Sequence, residues 1–84
     1  MTHDQIESRL IQIVAVNYGR VVDGGDPLME TLELDSLEFA GFVLDIEGEW
    51  PQIEDKIDLD SDLLRKGTTH EIAGAIHRFV SNAP

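Results

Sequence analysis

The chain has 84 residues, enough for one domain around one modest core. Six basic against 17 acidic residues give a net charge of −11, which disfavours nucleic-acid binding and favours basic protein partners, steered in by a field that salt weakens. No cysteine means no disulfide and no thiolate metal site, the apolar runs are too short to span a membrane, and Thr2-His3-Asp4 after Met1 is no secretory n-region, so a cytoplasmic monomer is expected.

Thr2 with Gln5 three residues on fits a capping box, in which each residue satisfies the other's backbone N–H. Ile6, Leu10, Ile13 and Val14 then recur at helical spacing, predicting a core-facing helix from His3 to Tyr18 that ends at Gly19, with Ser8, Arg9 and Gln12 outward. His3 is assigned to a mobile start. From Gly19 to Asp35 the chain reads as a long loop with Gly24-Gly25-Asp26-Pro27 as its turn. Several of Val21, Val22, Leu28, Met29, Leu32 and Leu34 are expected to pin that loop across helix ends.

The stretch from Leu37 to Trp50 has no proline and reads as one helix, about 21 Å long at 1.5 Å per residue. Phe39, Phe42, Val43, Ile46 and Trp50 fall on one stripe, expected to face the core. Leu37, Ala40 and Leu44 form a second apolar line, edged by Glu38, Asp45 and Glu47. A surface helix needs one apolar stripe, so a second among acids suggests a docking face. Gly41 and Gly48 lie on the outward side, where they are either tolerated surface glycines or points of close approach for a partner.

Pro51 stops this helix. Asp58, Asp60 and Asp62 alternate like the start of a calcium loop, but Leu63 stands where glycine is required and Thr69 where the closing glutamate belongs. Ser61 to Lys66 reads instead as a short helix, capped by Asp60 or Ser61, packed by Leu59, Leu63 and Leu64, and ended by Gly67. Thr68 with Glu71 is a second capping box, opening a last helix that runs to about Asn82 on the stripe Ile72, Ala73, Ile76, Phe79 and Val80. His70 and His77 are not spaced as a ligand pair and are read as solvated; no metal site is assigned. With no strand-like alternation, the expected class is an all-α helical bundle.

Asp35-Ser36-Leu37, followed by an acid and an amphipathic helix ending Glu49-Trp50, resembles the acyl carrier proteins. Chain length, acidity, the mid-chain position of the motif and the flanking helices extend the resemblance over essentially the whole chain. It implies a small four-helix bundle with a long loop between the first two helices and a short third helix. It also implies a 4′-phosphopantetheine arm on Ser36, with Asp35 and Leu37 beside it, holding acyl or aminoacyl groups as thioesters. Leu37, Glu38, Ala40, Gly41, Leu44, Asp45 and Glu47 would meet partner enzymes. Those partners are a phosphopantetheinyl transferase, an acyl- or aminoacyl-loading ligase, and downstream synthases or transferases with basic docking surfaces, as in fatty acid or polyketide biosynthesis. The chain departs from the fatty-acid carriers at Glu33, where they usually have glycine, and at Leu34, where they usually have alanine. Many of them also have glutamates where Gly41 and Gly48 stand. This points to a specialised discrete carrier.

Catalysis by the chain alone is not expected, because no serine sits in a Gly-x-Ser-x-Gly elbow and there is no glycine-rich phosphate loop. Two other classes compete with the carrier. One is an unmodified acidic interaction module in which Ser36 or Asp35 merely caps the helix. The other is a divalent-cation binder built on the aspartates near residue 60. Within the carrier class, aminoacyl or D-alanyl cargo is the alternative to fatty acyl or polyketide.

Overall fold

The computed structural model describes residues 2–54 and 62–81, apart from the side chains of Ser36, Asp62 and Ser81. Within them the chain is mostly helical: α1 (His3–Tyr18), α2 (Leu28–Leu32), α3 (Ser36–Glu49), a 3₁₀ turn (Pro51–Ile53), α4 (Asp62–Lys66) and α5 (Thr69–Ser81), with no strand among the described residues. The all-α class expected from the sequence is therefore observed.

Both expected capping boxes form. The Gln5 amide N–H donates to Thr2 Oγ1 at 3.2 Å while Gln5 Oε1 accepts from the Thr2 N–H at 2.8 Å. At α5, Glu71 N–H donates to Thr68 Oγ1 and Glu71 Oε1 accepts from the Thr68 N–H, at 3.1 and 3.0 Å. These bonds hold the Glu71 carboxyl below the usual range, chiefly through the Thr68 backbone donor. Gly19 closes α1 in the left-handed region, φ 65°, where a side chain would be strained.

The core gathers the expected stripes. Ile6, Leu10, Ile13 and Val14 of α1 join Phe42, Val43, Ile46 and Trp50 of α3 and Ile72, Ala73 and Ile76 of α5, all buried. Phe39, Phe79 and Val80 are half-buried at its edge. Leu64 is buried and Leu63 half-buried on α4, while Leu59, Asp58, Asp60, the Ser61 cap and Asn82 lie outside the described residues. Gly67, expected as a helix-ending residue, is required for space, because a Cβ there would overlap the Leu63 carbonyl oxygen.

The long loop differs from expectation by containing α2. Pro27 precedes it, and Leu28 and Leu32, one turn apart, are both buried, so five residues fold as a helix because they cover the core. Three backbone bonds fasten the loop to Gly67 and the first two residues of α5: Leu28 N–H to Gly67 O at 3.2 Å, Thr69 N–H to Asp26 O at 3.0 Å, and His70 N–H to Gly24 O at 2.9 Å. Val22 is buried with the two leucines, and Met29 and Leu34 are half-buried against the core. Val21 is 89% exposed and pins nothing.

Candidate functional site

The segment between α2 and α3 delivers Ser36. Glu33 caps α2 with φ 54° and ψ 42°, its N–H donating to Met29 O at 3.0 Å. It is the one non-glycine residue with positive φ among those described. A left-handed residue is disfavoured by about 1–2 kcal/mol for side chains other than glycine. The position where the sequence departs from the fatty-acid carriers' usual glycine is thus one whose backbone suits glycine. Leu34 is half-buried against the core and anchors the turn.

Asp35 is the N-cap of α3, which settles which residue of the Asp35-Ser36 pair does the capping. Its Oδ1 accepts from the Glu38 N–H at 2.8 Å, and Glu38 Oε1 accepts from the Asp35 N–H at 3.4 Å. Ser36 is the first residue of the helix, one position earlier than the sequence suggested, and α3 closes at Glu49 with Trp50 as C-cap.

The second apolar line is outside the core. Leu37 is 82% exposed and Leu44 is 68% exposed. Seven residues apart, they lie within about 20° of each other around the helix, two turns along one face. Ala40 and Gly41, between them, are half-buried, and a Cβ on Gly41 or Gly48 would meet no atom within 4 Å.

The acids along this line have different occupations. Glu38 is exposed with one oxygen turned back into the cap. Asp45 is exposed but engaged: its Oδ2 accepts from the Tyr18 hydroxyl at 3.1 Å and from Asn17 Nδ2 at 3.3 Å. Burial first, and this acid second, push the Tyr18 phenol up to about 12. Glu47 is half-buried. Glu49, one turn below Asp45, takes a two-pronged ion pair from Arg9, Nε to Oε1 at 2.7 Å and the second guanidinium nitrogen to Oε2 at 3.0 Å. That pair lowers the Glu49 carboxyl and raises the Arg9 guanidinium, mainly through the hydrogen bond between them. Arg9 also donates to Gln12 Oε1, so this outward residue of α1 ties it to the end of α3.

Two features were not anticipated. Val16 on α1 is 75% exposed, and its only sequence signal is that it falls off the α1 stripe. The histidines are not independent: His3 lies inside α1, not in a mobile start, and its ring stacks on His70 at 4.2 Å and on His77 at 6.0 Å. Nothing in local spacing links residues 3 and 70.

The chain matches no protein-family model, no curated protein and no solved structure.

Proposed function

We propose that this chain is an acyl carrier protein whose Ser36 accepts a 4′-phosphopantetheine arm. The observation that carries the reading is the pairing of a helix-initiating Ser36 with two large apolar residues, Leu37 and Leu44, left exposed on the face of α3 turned from the core. A helix cap alone gives no reason for that apolar line.

The residues fit the arm. Asp35 and Leu37, the neighbours of Ser36 on either side, are exposed. A phosphodiester on Ser36 stands at the N-terminus of a 14-residue helix, whose dipole favours an anion by about 0.3–1 kcal/mol. Asp35 and Glu38 oppose it by charge, while their carboxylates secure the cap that defines where the helix begins. In the transfer the Ser36 hydroxyl bonds to the pantetheine phosphorus of coenzyme A, the pyrophosphate linkage breaks, and adenosine 3′,5′-bisphosphate leaves. The attached arm supplies the thiol that the cysteine-free chain lacks, and that thiol carries acyl or aminoacyl cargo as a thioester. On this reading α1, α3, α4 and α5 would be the four helices of the carrier bundle, and α2 an added turn in its long loop.

Leu37 and Leu44 give partner enzymes an apolar anchor, and Glu38 and Glu47 meet their basic residues. Asp45 contributes from a position already fixed by Tyr18. The test is the intact mass of the chain before and after incubation with coenzyme A and a phosphopantetheinyl transferase. The parent gains one arm and Ser36→Ala gains none. A parent that stays unmodified while a control carrier is loaded contradicts the proposal.

A further inference from the structure

His3 and Glu7 are four residues apart on α1, so they project from one face a single turn apart. His70, in the first turn of α5, completes a group whose donor atoms, one from each residue, all lie within 4.8 Å of one another. His3 Nε2 donates to the His70 carbonyl at 2.9 Å, and His70 Nδ1 donates to Glu7 Oε1 at 2.5 Å. Two imidazoles and one carboxylate, drawn from residues 63 and 67 positions apart in sequence, thus converge where the N-terminal ends of α1 and α5 meet.

The surroundings are shaped to this cluster. A Cβ on Gly74, one turn beyond His70, would stand 3.2 Å from His3 Cε1, so glycine leaves the His3 ring room to lie against α5. A Cβ on Gly24 would stand 2.9 Å from Glu7 Oε2, and the Gly24 carbonyl accepts from the His70 N–H at 2.9 Å. The two helix starts are each locked by a reciprocal capping box, Thr2 with Gln5 and Thr68 with Glu71. The backbones bearing the three donors are therefore held, while the His70 and Glu7 side chains keep 57% and 23% of their surface open.

We infer that His3, Glu7 and His70 form a binding site for a divalent transition-metal ion, zinc being the best fit, that clamps the start of α1 to the start of α5. Imidazole and carboxylate together suit zinc and its neighbours, whereas magnesium and calcium call for oxygen donors throughout. Three protein donors and one water complete a tetrahedral shell. Tetrahedral donors at about 2.0–2.1 Å from zinc stand roughly 3.4 Å apart, so donor pairs that are wider than this, up to 4.8 Å, close towards it, and the 2.5 Å contact between His70 Nδ1 and Glu7 Oε1 opens if both of those atoms bind. The His3 ring turns about its Cβ–Cγ bond to do this and gives up its bond to the His70 carbonyl, and its Nε2 binds the metal once the proton it carries has passed to Nδ1 through solvent. The proton on His70 Nδ1 that now faces Glu7 is released if that nitrogen is the one that binds. The site is independent of the carrier reading, since it uses neither Ser36 nor the exposed line on α3.

The test is calorimetric titration of the full untagged chain with zinc, carried in the Ser36→Ala background so that no thiol arm contributes. One zinc per chain is expected, with His3→Gln and His70→Gln each weakening binding about tenfold or more. Magnesium at the same concentration should not reproduce the heat. Because the chain is acidic enough to attract any divalent ion, equal zinc affinity of the parent and both histidine variants overturns the site, as does a parent that takes up no zinc. Nitrogen-15 spectra of the parent guard against a misfolded variant: one equivalent of zinc should shift the His3 and His70 ring signals. Unmoved ring signals overturn the inference even if a variant fails to fold.

Discussion

The Tyr18 hydroxyl at the end of α1 donates to the Asp45 carboxylate on α3, 3.1 Å away, so one acid beside the exposed apolar line is already held by the chain's own first helix. The bond fixes where that negative charge sits before any partner arrives. Tyr18 also packs at the edge of the core, its ring centroid 6.0 Å from that of buried Phe42.

Tyr18 is the only tyrosine, so the ultraviolet absorbance of its phenolate reports this contact alone. Its midpoint is expected near 12 rather than the ordinary 10, and Asp45→Asn should move it part of the way back, leaving the share due to burial. The folded chain holds the phenol proton more tightly than the unfolded one. The resulting stabilisation is complete below pH 10 and is lost as pH rises from about 10 to about 12. A midpoint near 10 in the parent would mean that the contact does not persist in solution.

Glu33 is expected to gain stability on becoming glycine. Relief of about 1–2 kcal/mol of left-handed strain is offset by about 0.5–1 kcal/mol of glycine's extra unfolded-state entropy, leaving a net gain of up to about 1.5 kcal/mol. Glu33→Val, β-branched at the same positive φ, should lose about 1 kcal/mol or more. Urea denaturation of both variants measures this, and a glycine variant less stable than the parent would show that the left-handed turn is wrongly placed.

Phe42 is fully buried between the other helices, and Phe42→Ala should lower the unfolding free energy by about 3–5 kcal/mol. In a domain this small that is a large share of the total. A melting temperature unchanged by the substitution would place the core stripe on the wrong side of α3.

Leu44 is the converse case. Leu44→Arg should stay within about ±0.5 kcal/mol of the parent in stability, because the side chain already faces water, yet weaken both phosphopantetheine transfer and binding of the loading enzyme. Glu47→Lys should weaken the same steps through charge, with an effect that shrinks as salt rises. Melting and transfer are measured on the same samples. A Leu44→Arg chain that unfolds would make Leu44 core, and one that folds and transfers normally would remove the docking face.

What could be read from the sequence was what local sequence determines. The partners in the Thr2–Gln5 and Thr68–Glu71 boxes lie three residues apart, and the stripes of α1, α3 and α5 each repeat over more than two turns. The separation of Leu37 and Leu44 from the Phe42 stripe follows from helix geometry, and the exposures bear it out. Helix α2 was missed because five residues are too few to show a period; its one signal was Leu28 and Leu32 at a spacing of four behind Pro27. The left-handed turn at Glu33 was hidden by the residue itself, since a glycine there would have announced it. The Tyr18–Asp45 bond and the His3–Glu7–His70 cluster join residues 27 to 67 positions apart, and only the packing of α1 against α3 and α5 brings them together.

The carrier reading turns on one hydroxyl. The most direct measurement is fragmentation mass spectrometry of the chain after loading with coenzyme A and a transferase, because it reads which serine bears the arm. The expected result is a single phosphopantetheine on the peptide containing Asp35-Ser36-Leu37, with Ser8, Ser61 and Ser81 unmodified. An arm on any other serine, or a chain that remains bare under conditions that load a control carrier, would contradict it.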